Sequence, residues 1–164
     1  MSANIETMFY VREKPWHGLG TEVSEAPASL DALVYAGLDW RVEQEKVCTE
    51  DGVPIPGYKV VQNEDAFQFT DDLLGEGVTY ETAGALQGGR KVWLLARMPQ
   101  RYVIAGDEIT PYMVFMNSHD GSSGVKVAMT PIRVVCQNTL NLALDSAKRI
   151  WAAIPARHSH TALG

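Results

Sequence analysis

The sequence has little cysteine, no long apolar run and fewer basic than acidic residues. Its two cysteines, Cys48 and Cys136, form no CxxC pair, which excludes a disulfide-based fold and favours a reducing cytoplasm. No apolar stretch approaches the roughly 18 residues that a transmembrane helix requires, so we expect no membrane insertion. The N-terminus lacks a basic start followed by an apolar segment, so we expect no secretory signal.

The acidic balance limits the class of partner. Lysine and arginine number 14 against 20 aspartates and glutamates, which gives a formal charge of −6 and a pI of about 5.1. Proteins that bind duplex DNA gain much of their affinity by neutralising phosphates, so this balance argues against that class. It leaves room for a local basic groove, because binding depends on a patch rather than on net charge. The 164 residues, 46% of them hydrophobic, predict a single domain, 1–164.

The first half of the chain is predicted to contain an arm, two helices and a hairpin. Residues 1–24 form an extended N-terminal arm in this interpretation, because proline and glycine interrupt any periodic pattern. Ser29 is the predicted N-cap of a short helix that ends near Gly37. The apolar face predicted for this helix consists of Leu30, Leu33, Val34 and Leu38. The remaining elements are predicted as a hairpin of 40–49 and 57–62 and a helix at 64–75 with Ala66, Phe69 and Leu73 on its apolar face.

Residues 77–152 form the predicted core, a β-meander followed by an amphipathic helix. The strands are predicted at 78–86, 90–98, 112–118 and 125–135. The closing helix is predicted over 138–152, with Asn138 as its N-cap. Its apolar stripe consists of Leu140, Ala143, Leu144, Ala147 and Trp151. This order predicts an α+β fold, an antiparallel β-meander sheet with helices packed on one face.

The stretch NSHDGSSG at 117–124 raises the question of a phosphate loop, a metal site or a catalytic His119–Asp120 pair. It lies between two predicted strands, and Asp-Gly and Ser-Gly are typical of hairpin turns. A Walker-type loop would need a lysine and a hydroxyl residue after its second glycine, followed by a helix. We therefore interpret the stretch as a hairpin turn.

The other residues of catalytic type form no recognisable constellation. Cys136, His119 and Asn138 include the residue types of a cysteine-protease triad, but the valines beside Cys136 favour a buried side chain. The HSH pair near the end of the sequence has no cysteine or carboxylate at ligand spacing. We therefore predict no catalytic residue, no metal, no cofactor and no enzymatic activity. An enzyme that uses His17 or His119 is the third alternative.

The segment RKVWLLARM predicts a sheet face that carries cations beside an aromatic ring. With a period of two, Lys91, Trp93, Leu95 and Arg97 point one way, and the apolar residues between them point toward the helices. Proteins hold single-stranded nucleic acid with cations that follow phosphates and rings that stack on bases. The predicted nucleic-acid-binding residues are Arg90, Lys91, Trp93, Arg97, Arg101, Lys126 and Arg133. A solvated sheet face or a subunit interface is the alternative interpretation.

Three motifs carry a resemblance to a known family: PWHGLG, YKVVQNEDAF and NSHDGSSGVKVAMTPIRVVCQNTLNLAL. With them the chain resembles the phage/plasmid-like protein family, built on a domain of unknown function, from about Ile5 to His160. The resemblance implies a mobile-element origin and supplies no catalytic residues. Members are expected to be longer, so we expect either a short member or part of a longer protein. Phages and plasmids commonly encode single-strand annealing proteins, which are similar in plan to the predicted meander and helix.

Two functions from different classes follow. The first is a non-catalytic, homo-oligomeric protein that binds single-stranded nucleic acid in the cytoplasm of a host cell and anneals strands during recombination. The second is an interaction protein that inhibits a host defence or regulatory complex, for which the charge of −6 suits mimicry of nucleic acid or blocking of a basic surface. The predicted basic and aromatic sheet face favours the first.

Overall fold

The fold comes from a computed structural model that describes residues 4–42, 61–75, 77–98, 102–104, 106–109, 111–119, 125–146 and 150–152. These residues contain three helices and nine strands. The helices are α1 (Ser29–Tyr35), α2 (Asn63–Leu74) and α3 (Gln137–Ser146). The strands are β1 (Ile5–Val11), β2 (Thr21–Val23), β3 (Tyr80–Leu86), β4 (Lys91–Arg97), β5 (Tyr102–Ile104), β6 (Asp107–Ile109), β7 (Tyr112–Ser118), β8 (Lys126–Thr130) and β9 (Ile150–Ala152).

Seven strands form one mostly antiparallel sheet in the order β2-β1-β3-β4-β7-β8-β9, and β5 and β6 form a separate hairpin. Of the six pairings in the large sheet, five are antiparallel and that of β1 with β2 is parallel. The predicted α+β class and the antiparallel meander β3-β4-β7-β8 are therefore confirmed. The stretch NSHDGSSG connects the antiparallel neighbours β7 and β8, as a hairpin requires, and residues 120–124 of it lie outside the described part.

Helices cover both faces of the large sheet, so the prediction that they pack on one face is wrong. On one face α1 and α2 pack on the sheet and form a buried cluster, called here the α1–α2 core. On the other face α3 and the segment 131–136 form a second buried cluster, called here the α3 core. The reason is visible in β4, whose residues 92–96 are all buried. Five successive apolar residues are typical of a strand covered on both sides, and alternation was the wrong pattern to apply.

The first half of the predicted N-terminal arm, 1–24, belongs to the sheet. β1 pairs with β3 over most of its length, and β2 runs parallel to β1 at the edge. The residues of β1 from Met8 to Val11 are all buried, and they contribute alternately to the two cores. The short apolar run MFYV was the signal for this strand. Residues 12–20 form the connection between β1 and β2.

α1 exposes part of the face that its sequence predicts to be buried. The helix begins at Ser29, and Ala28 is its N-cap without a side-chain hydrogen bond, so the predicted cap is wrong by one residue. Leu30 and Val34 are 79% and 60% exposed, whereas Ala32 is fully buried. Because the buried stripe is lined by alanine, the helix can lie close to the sheet, and Leu30 and Val34 stay outside. The other two residues of the predicted face contact the α1–α2 core, Leu33 half-buried and Leu38 buried.

α2 confirms the predicted helix at 64–75. Gln62 and Asp65 form a capping box at its start, and Gly75 ends it with φ of 90°. Its buried residues are Asn63, Ala66, Phe67 and Thr70, whereas Phe69 is half-buried and Leu73 is exposed. The predicted hairpin of 40–49 and 57–62 falls mainly in 43–60, outside the described residues.

The closing helix is shorter than predicted and is followed by a strand. α3 begins at Gln137, so Asn138 lies inside the helix and is not its N-cap. Thr139 instead accepts hydrogen bonds from the backbone N–H groups of Val135 and Cys136, at 2.9 and 3.0 Å. Residues 150–152, predicted as the end of the helix, form β9 and pair with β8. Among the described helices, none combines the length and the apolar character of a membrane-spanning segment.

Gly84 allows β3 to pack closely between β1 and β4. A Cβ atom at this position would lie 2.2 Å from the carbonyl oxygen of Thr7 and 2.7 Å from both Met8 Cβ and Trp93 Cη2. Two of these atoms belong to the main chain or to the rigid start of a side chain, so neither can move aside without displacing β1. A side chain larger than hydrogen at Gly84 therefore separates the strands.

We expect Gly84→Ala to lower the free energy of unfolding by about 2 to 3 kcal/mol, because overpacking at this site displaces backbone. Gly88→Ala is the control, since Gly88 has φ of 68° and no atom within 4 Å of an added Cβ. It should cost about 1 kcal/mol, the strain of a left-handed alanine. Urea unfolding followed by circular dichroism measures both. A Gly84→Ala variant as stable as Gly88→Ala would contradict the close contact.

Candidate functional site

α3 covers the middle of the β4 face that was predicted to be basic and aromatic. Trp93 is fully buried, and it packs in the α3 core with Leu140 and Ala143. Its indole N–H donates to Thr82 Oγ1 at 3.1 Å, so its polar atom is also satisfied inside the protein. The interpretation of Trp93 as a ring that stacks on bases is therefore wrong. The sequence predicted that the helices would cover the opposite face of β4. Because α3 covers the face that carries Trp93, that face is not available for stacking on bases.

The predicted cations lie at two ends of the strands. Lys91 is the first residue of β4 and pairs across the sheet with Ser118, and Lys126 pairs with Met116 near the same end. Arg97 is six residues further along β4 than Lys91, about 20 Å away at the usual rise of a strand. Arg90 is exposed beside Lys91, and Arg101 lies outside the described residues.

Two of the predicted cations, Arg97 and Arg133, meet at one carboxylate. Arg133 Nε lies 3.2 Å from Glu81 Oε1, and Arg97 Nε lies 3.5 Å from Glu81 Oε2. Arg133 also donates from Nη2 to the carbonyl oxygen of Val11 at 3.0 Å, which ties it to the end of β1. We call Glu81, Arg97, Arg133 and the neighbouring Tyr112 the Glu81 cluster.

A bulge in β3 aims Glu81 at the two arginines. Tyr80 pairs with Ala96 and Thr82 pairs with Leu95, so Glu81 is an extra residue without a partner across the sheet. The inserted residue breaks the alternation of the strand. Tyr80 faces the α1–α2 core, whereas both Glu81 and Thr82 face the side of α3, toward Arg133 and the carbonyl oxygen of Val134.

Tyr112 completes the cluster as the partner of Arg97 across the sheet. Burial raises its pKa above the ordinary value of tyrosine, and the negative charge of Glu81 raises it further, while Arg133 and Arg97 act in the opposite direction. The negative charge of Glu13, an exposed residue, also raises this pKa. At neutral pH Tyr112 therefore keeps its proton, and its hydroxyl can donate a hydrogen bond to an anion.

Tyr80 has a raised pKa for a structural reason. Burial is the largest cause, and the hydrogen bond to Asp71 is the next. Tyr80 Oη donates to Asp71 Oδ1 at 2.8 Å, and its ring packs edge-on against Phe67 with 4.9 Å between centroids. These contacts join α2 to the sheet and leave Tyr80 no chemical task.

The Glu81 cluster carries an excess of positive charge. Two guanidinium groups share one carboxylate, so these three side chains have a net charge of +1. The side chains of Arg97 and Arg133 are 32% and 18% exposed, whereas that of Glu81 is 10% exposed. Arginine binds phosphate and carboxylate groups through a planar fork of donors. The arrangement can therefore attract an anion from solvent.

The histidines of the third alternative have structural contacts. His17 Nδ1 accepts the backbone N–H of Leu19 at 3.0 Å, so Nε2 carries the proton and donates to the carbonyl oxygen of Val135 at 2.9 Å. His119 Nε2 lies 2.9 Å from Asn63 Oδ1, where it joins the end of β7 to the start of α2. The motifs PWHGLG and VVCQNTL, distant in sequence, thus touch through His17.

Cys136 is buried in the α3 core, as its apolar neighbours predicted. Its sulfur lies 3.5 Å from Thr139 Oγ1. Within the described residues no three histidine, cysteine or acidic side chains gather in a way that could hold a metal ion.

Glu81, Tyr112 and the way they join Arg97 to Arg133 were not predicted from the sequence. A signal was present in β3, where YETAGAL places one acidic residue in an otherwise apolar or small-residue strand. An acidic side chain in a buried strand requires a cation, and the nearest candidates were already among the predicted binding residues. The bulge that orients Glu81 had no signature in the sequence.

A comparison with protein families matches residues 52–162 to the family described as Domain of unknown function (DUF932). The chain belongs to this family. The DUF932 region contains all four residues of the Glu81 cluster, whereas β1, β2 and their connection precede it. No curated protein and no solved structure matches the chain. Membership of DUF932 therefore identifies the domain and assigns it no activity.

We expect Glu81→Gln to destabilise the protein by about 2 to 4 kcal/mol, because the two arginines then face each other without the carboxylate that pairs them. Glu64→Gln is the control, since Glu64 pairs with Arg41 at 2.8 Å on the surface, with both side chains more than half exposed. That pair should contribute little. Thermal and urea unfolding at neutral pH measure both variants. Equal stabilities would contradict a structural role for the shared carboxylate.

Proposed function

We propose that this DUF932 protein binds single-stranded nucleic acid without catalysing a reaction, and that the Glu81 cluster contacts the phosphate backbone. The observation that carries the proposal is the sharing of one buried carboxylate by two partly exposed guanidinium groups. The excess positive charge has no partner within the cluster, and phosphate is an anion that arginine binds with paired hydrogen bonds.

The geometry of the Glu81 cluster makes it a better binding site for a chain of phosphates than an isolated pair of positive charges would be. Arg133 is held by Glu81 and by the carbonyl oxygen of Val11, so its position is defined before a ligand arrives. Arg97 makes its ionic contact at 3.5 Å and is the more exposed of the two. Because Arg133 is already fixed, it loses little conformational entropy when a ligand binds, which favours affinity. Arg97 beside it can adjust to the ligand.

The net charge of −6 limits the proposal to a local interface. At long range the negative net charge repels a polyanion, so binding depends on the cations near the cluster, and these contacts weaken as salt rises. Exposed Glu13 lies among the charges that act on Tyr112, and its carboxylate opposes an approaching phosphate.

The finer parts of the proposal come from the resemblance of the sequence. They are an origin in a phage or plasmid, a location in the cytoplasm of the host cell, and annealing of complementary strands by a homo-oligomer. Repeating the Glu81 cluster around an oligomer would multiply weak phosphate contacts along one strand, and such repetition raises affinity without new contacts in each subunit.

We expect Arg97→Gln to weaken the binding of a fluorescent oligothymidylate by about tenfold, the usual effect of removing a hydrogen bond to a charged group. The plot of log affinity against log salt should also become shallower by about 0.7, the contribution of one phosphate contact on a single strand. Fluorescence anisotropy between about 50 and 200 mM salt measures both quantities.

Three matched variants test whether position or total charge matters. Arg41→Gln removes an exposed arginine that pairs with Glu64, far along the chain from the cluster, and should leave affinity unchanged. Arg97→Lys should restore part of the affinity, and Glu13→Gln should increase it. Failure of the unaltered protein to bind the oligonucleotide at micromolar concentration would refute the proposal. Equal losses in Arg97→Gln and Arg41→Gln would refute the site.

A specific observation favours the second candidate function, an interaction protein. Leu30 and Val34 lie four residues apart on α1 and are both mainly exposed, and Tyr35 beside them is 43% exposed. Apolar and aromatic side chains on the outer side of a helix are typical of surfaces that bind another protein. On this proposal α1 inserts its outer face into a host complex.

We expect a Leu30→Glu, Val34→Glu double variant to lose a stoichiometric partner that the unaltered protein captures from a host lysate, because two buried charges would oppose the interface. Leu142→Glu is the control, since Leu142 is a similarly exposed leucine on α3, on the other side of the sheet. Capture that survives the double variant, or that Leu142→Glu abolishes equally, would argue against the α1 surface.

A further inference from the structure

We propose that Trp16 stacks on a base of the bound strand, next to the phosphate contacts at the Glu81 cluster. The inference rests on the proposed function and names a part of the interface outside the DUF932 region. It assigns to the PWHGLG connection between β1 and β2 the aromatic contact that Trp93 cannot make.

Trp16 is the most exposed aromatic side chain among the described residues, with 63% of its surface in solvent. Most of this residue is therefore accessible to a ligand. Its contact with the His17 ring is edge-on, with 5.3 Å between centroids and 71° between planes. The two rings are therefore not stacked on each other.

The turn that carries Trp16 is held in place although its indole is exposed. Pro15 is buried, and its carbonyl oxygen accepts the backbone N–H of Gly18 at 3.0 Å. His17 donates to the carbonyl oxygen of Val135 and accepts from the backbone N–H of Leu19. These contacts fix the chain on both sides of Trp16, and a side chain on a fixed turn binds a ligand at a lower cost in conformational entropy.

The turn also lies beside the Glu81 cluster. His17 bonds to Val135, and Arg133 is two residues before Val135 in the same segment. Val11, the residue whose carbonyl oxygen receives Arg133, is the last residue of β1 before the connection that contains Trp16. Val11, before the connection, and His17, within it, are thus both tied to residues 133–135, and Trp16 lies between them in the sequence.

A further cation stands at the same turn. A Cβ atom at Gly18 would lie 3.4 Å from Lys14 Cε and 3.9 Å from Lys14 Nζ, so the lysine side chain lies against the turn at Gly18. Lys14 is exposed. The PWHGLG turn therefore offers an exposed indole and an exposed lysine, and Val11 and His17 tie it to the segment that carries Arg133. Rings combined with cations are what hold a single strand.

The occupant is a nucleobase of a single strand, because the three cations Lys14, Arg97 and Arg133 outnumber the two carboxylates of Glu13 and Glu81, and ring stacking accepts any base. An apolar protein side chain would gain nothing from Lys14, Arg97 and Arg133. In a duplex the base faces are covered by their neighbours, so the same ring would find no partner there.

The test compares two strands that share a backbone. Anisotropy is measured with labelled oligothymidylate and with an oligomer of the same length made entirely of abasic sugar-phosphate units. We expect Trp16→Ala to weaken binding of oligothymidylate about tenfold and to leave binding of the abasic oligomer unchanged, since stacking requires a base. Trp16→Phe should keep most of the affinity. Tyr35→Ala, which removes an exposed aromatic from α1, should have no effect.

The outcomes separate this inference from the function on which it rests. If the unaltered protein binds neither oligomer, both the function and the stacking are overturned. If it binds both with equal affinity, or if Trp16→Ala weakens both equally, the phosphate contacts stand and the stacking is overturned. Unfolding curves of each variant exclude loss of the fold as the cause, and Trp16→Phe must restore affinity for oligothymidylate if the ring is what acts.

Discussion

The contact between β3 and the segment 131–136 determines which surfaces of this protein are available. Thr82 donates its hydroxyl to the carbonyl oxygen of Val134 and accepts the indole N–H of Trp93, so one buried side chain joins the sheet to the segment that leads into α3. A buried carbonyl and a buried indole N–H left without partners would each cost free energy. With both satisfied, α3 covers the middle of the sheet and forms the second core.

This cover moves the surface available for binding from the sheet face to its ends. Lys91 and Lys126 lie at one end, and Arg97 and Arg133 lie at the other, where a bulge presents Glu81 to both arginines. Strand ends and the connections beside them are places where side chains can remain exposed while the scaffold holds them. The Glu81 cluster and the PWHGLG turn share this property, and His17 joins the turn to the same segment.

The prediction of the fold succeeded where periodicity and turn residues act locally. Four strands of the meander, α2 with its terminal Gly75, and the hairpin connection at NSHDGSSG all follow from such signals. It failed where tertiary contacts override them. Apolar residues of α1 were assigned to the core, yet Leu30 is exposed because the sheet accepts the alanine stripe instead. The apolar run in β4 fits a strand covered on one side or on both sides. Only the packing of α3 on the second face of the sheet shows that both sides are covered.

The sequence by itself determined the α+β class, the order of the meander, the burial of Cys136 and the set of cations from which the candidate site is drawn, because these depend on side-chain chemistry and spacing. The tertiary structure decided which cations meet. Arg97 and Arg133 are 36 positions apart, and they converge on Glu81 through the bulge and the return of the chain across β3. It also decided that Trp93 is buried and Trp16 exposed, because the side on which α3 packs depends on contacts distant in sequence.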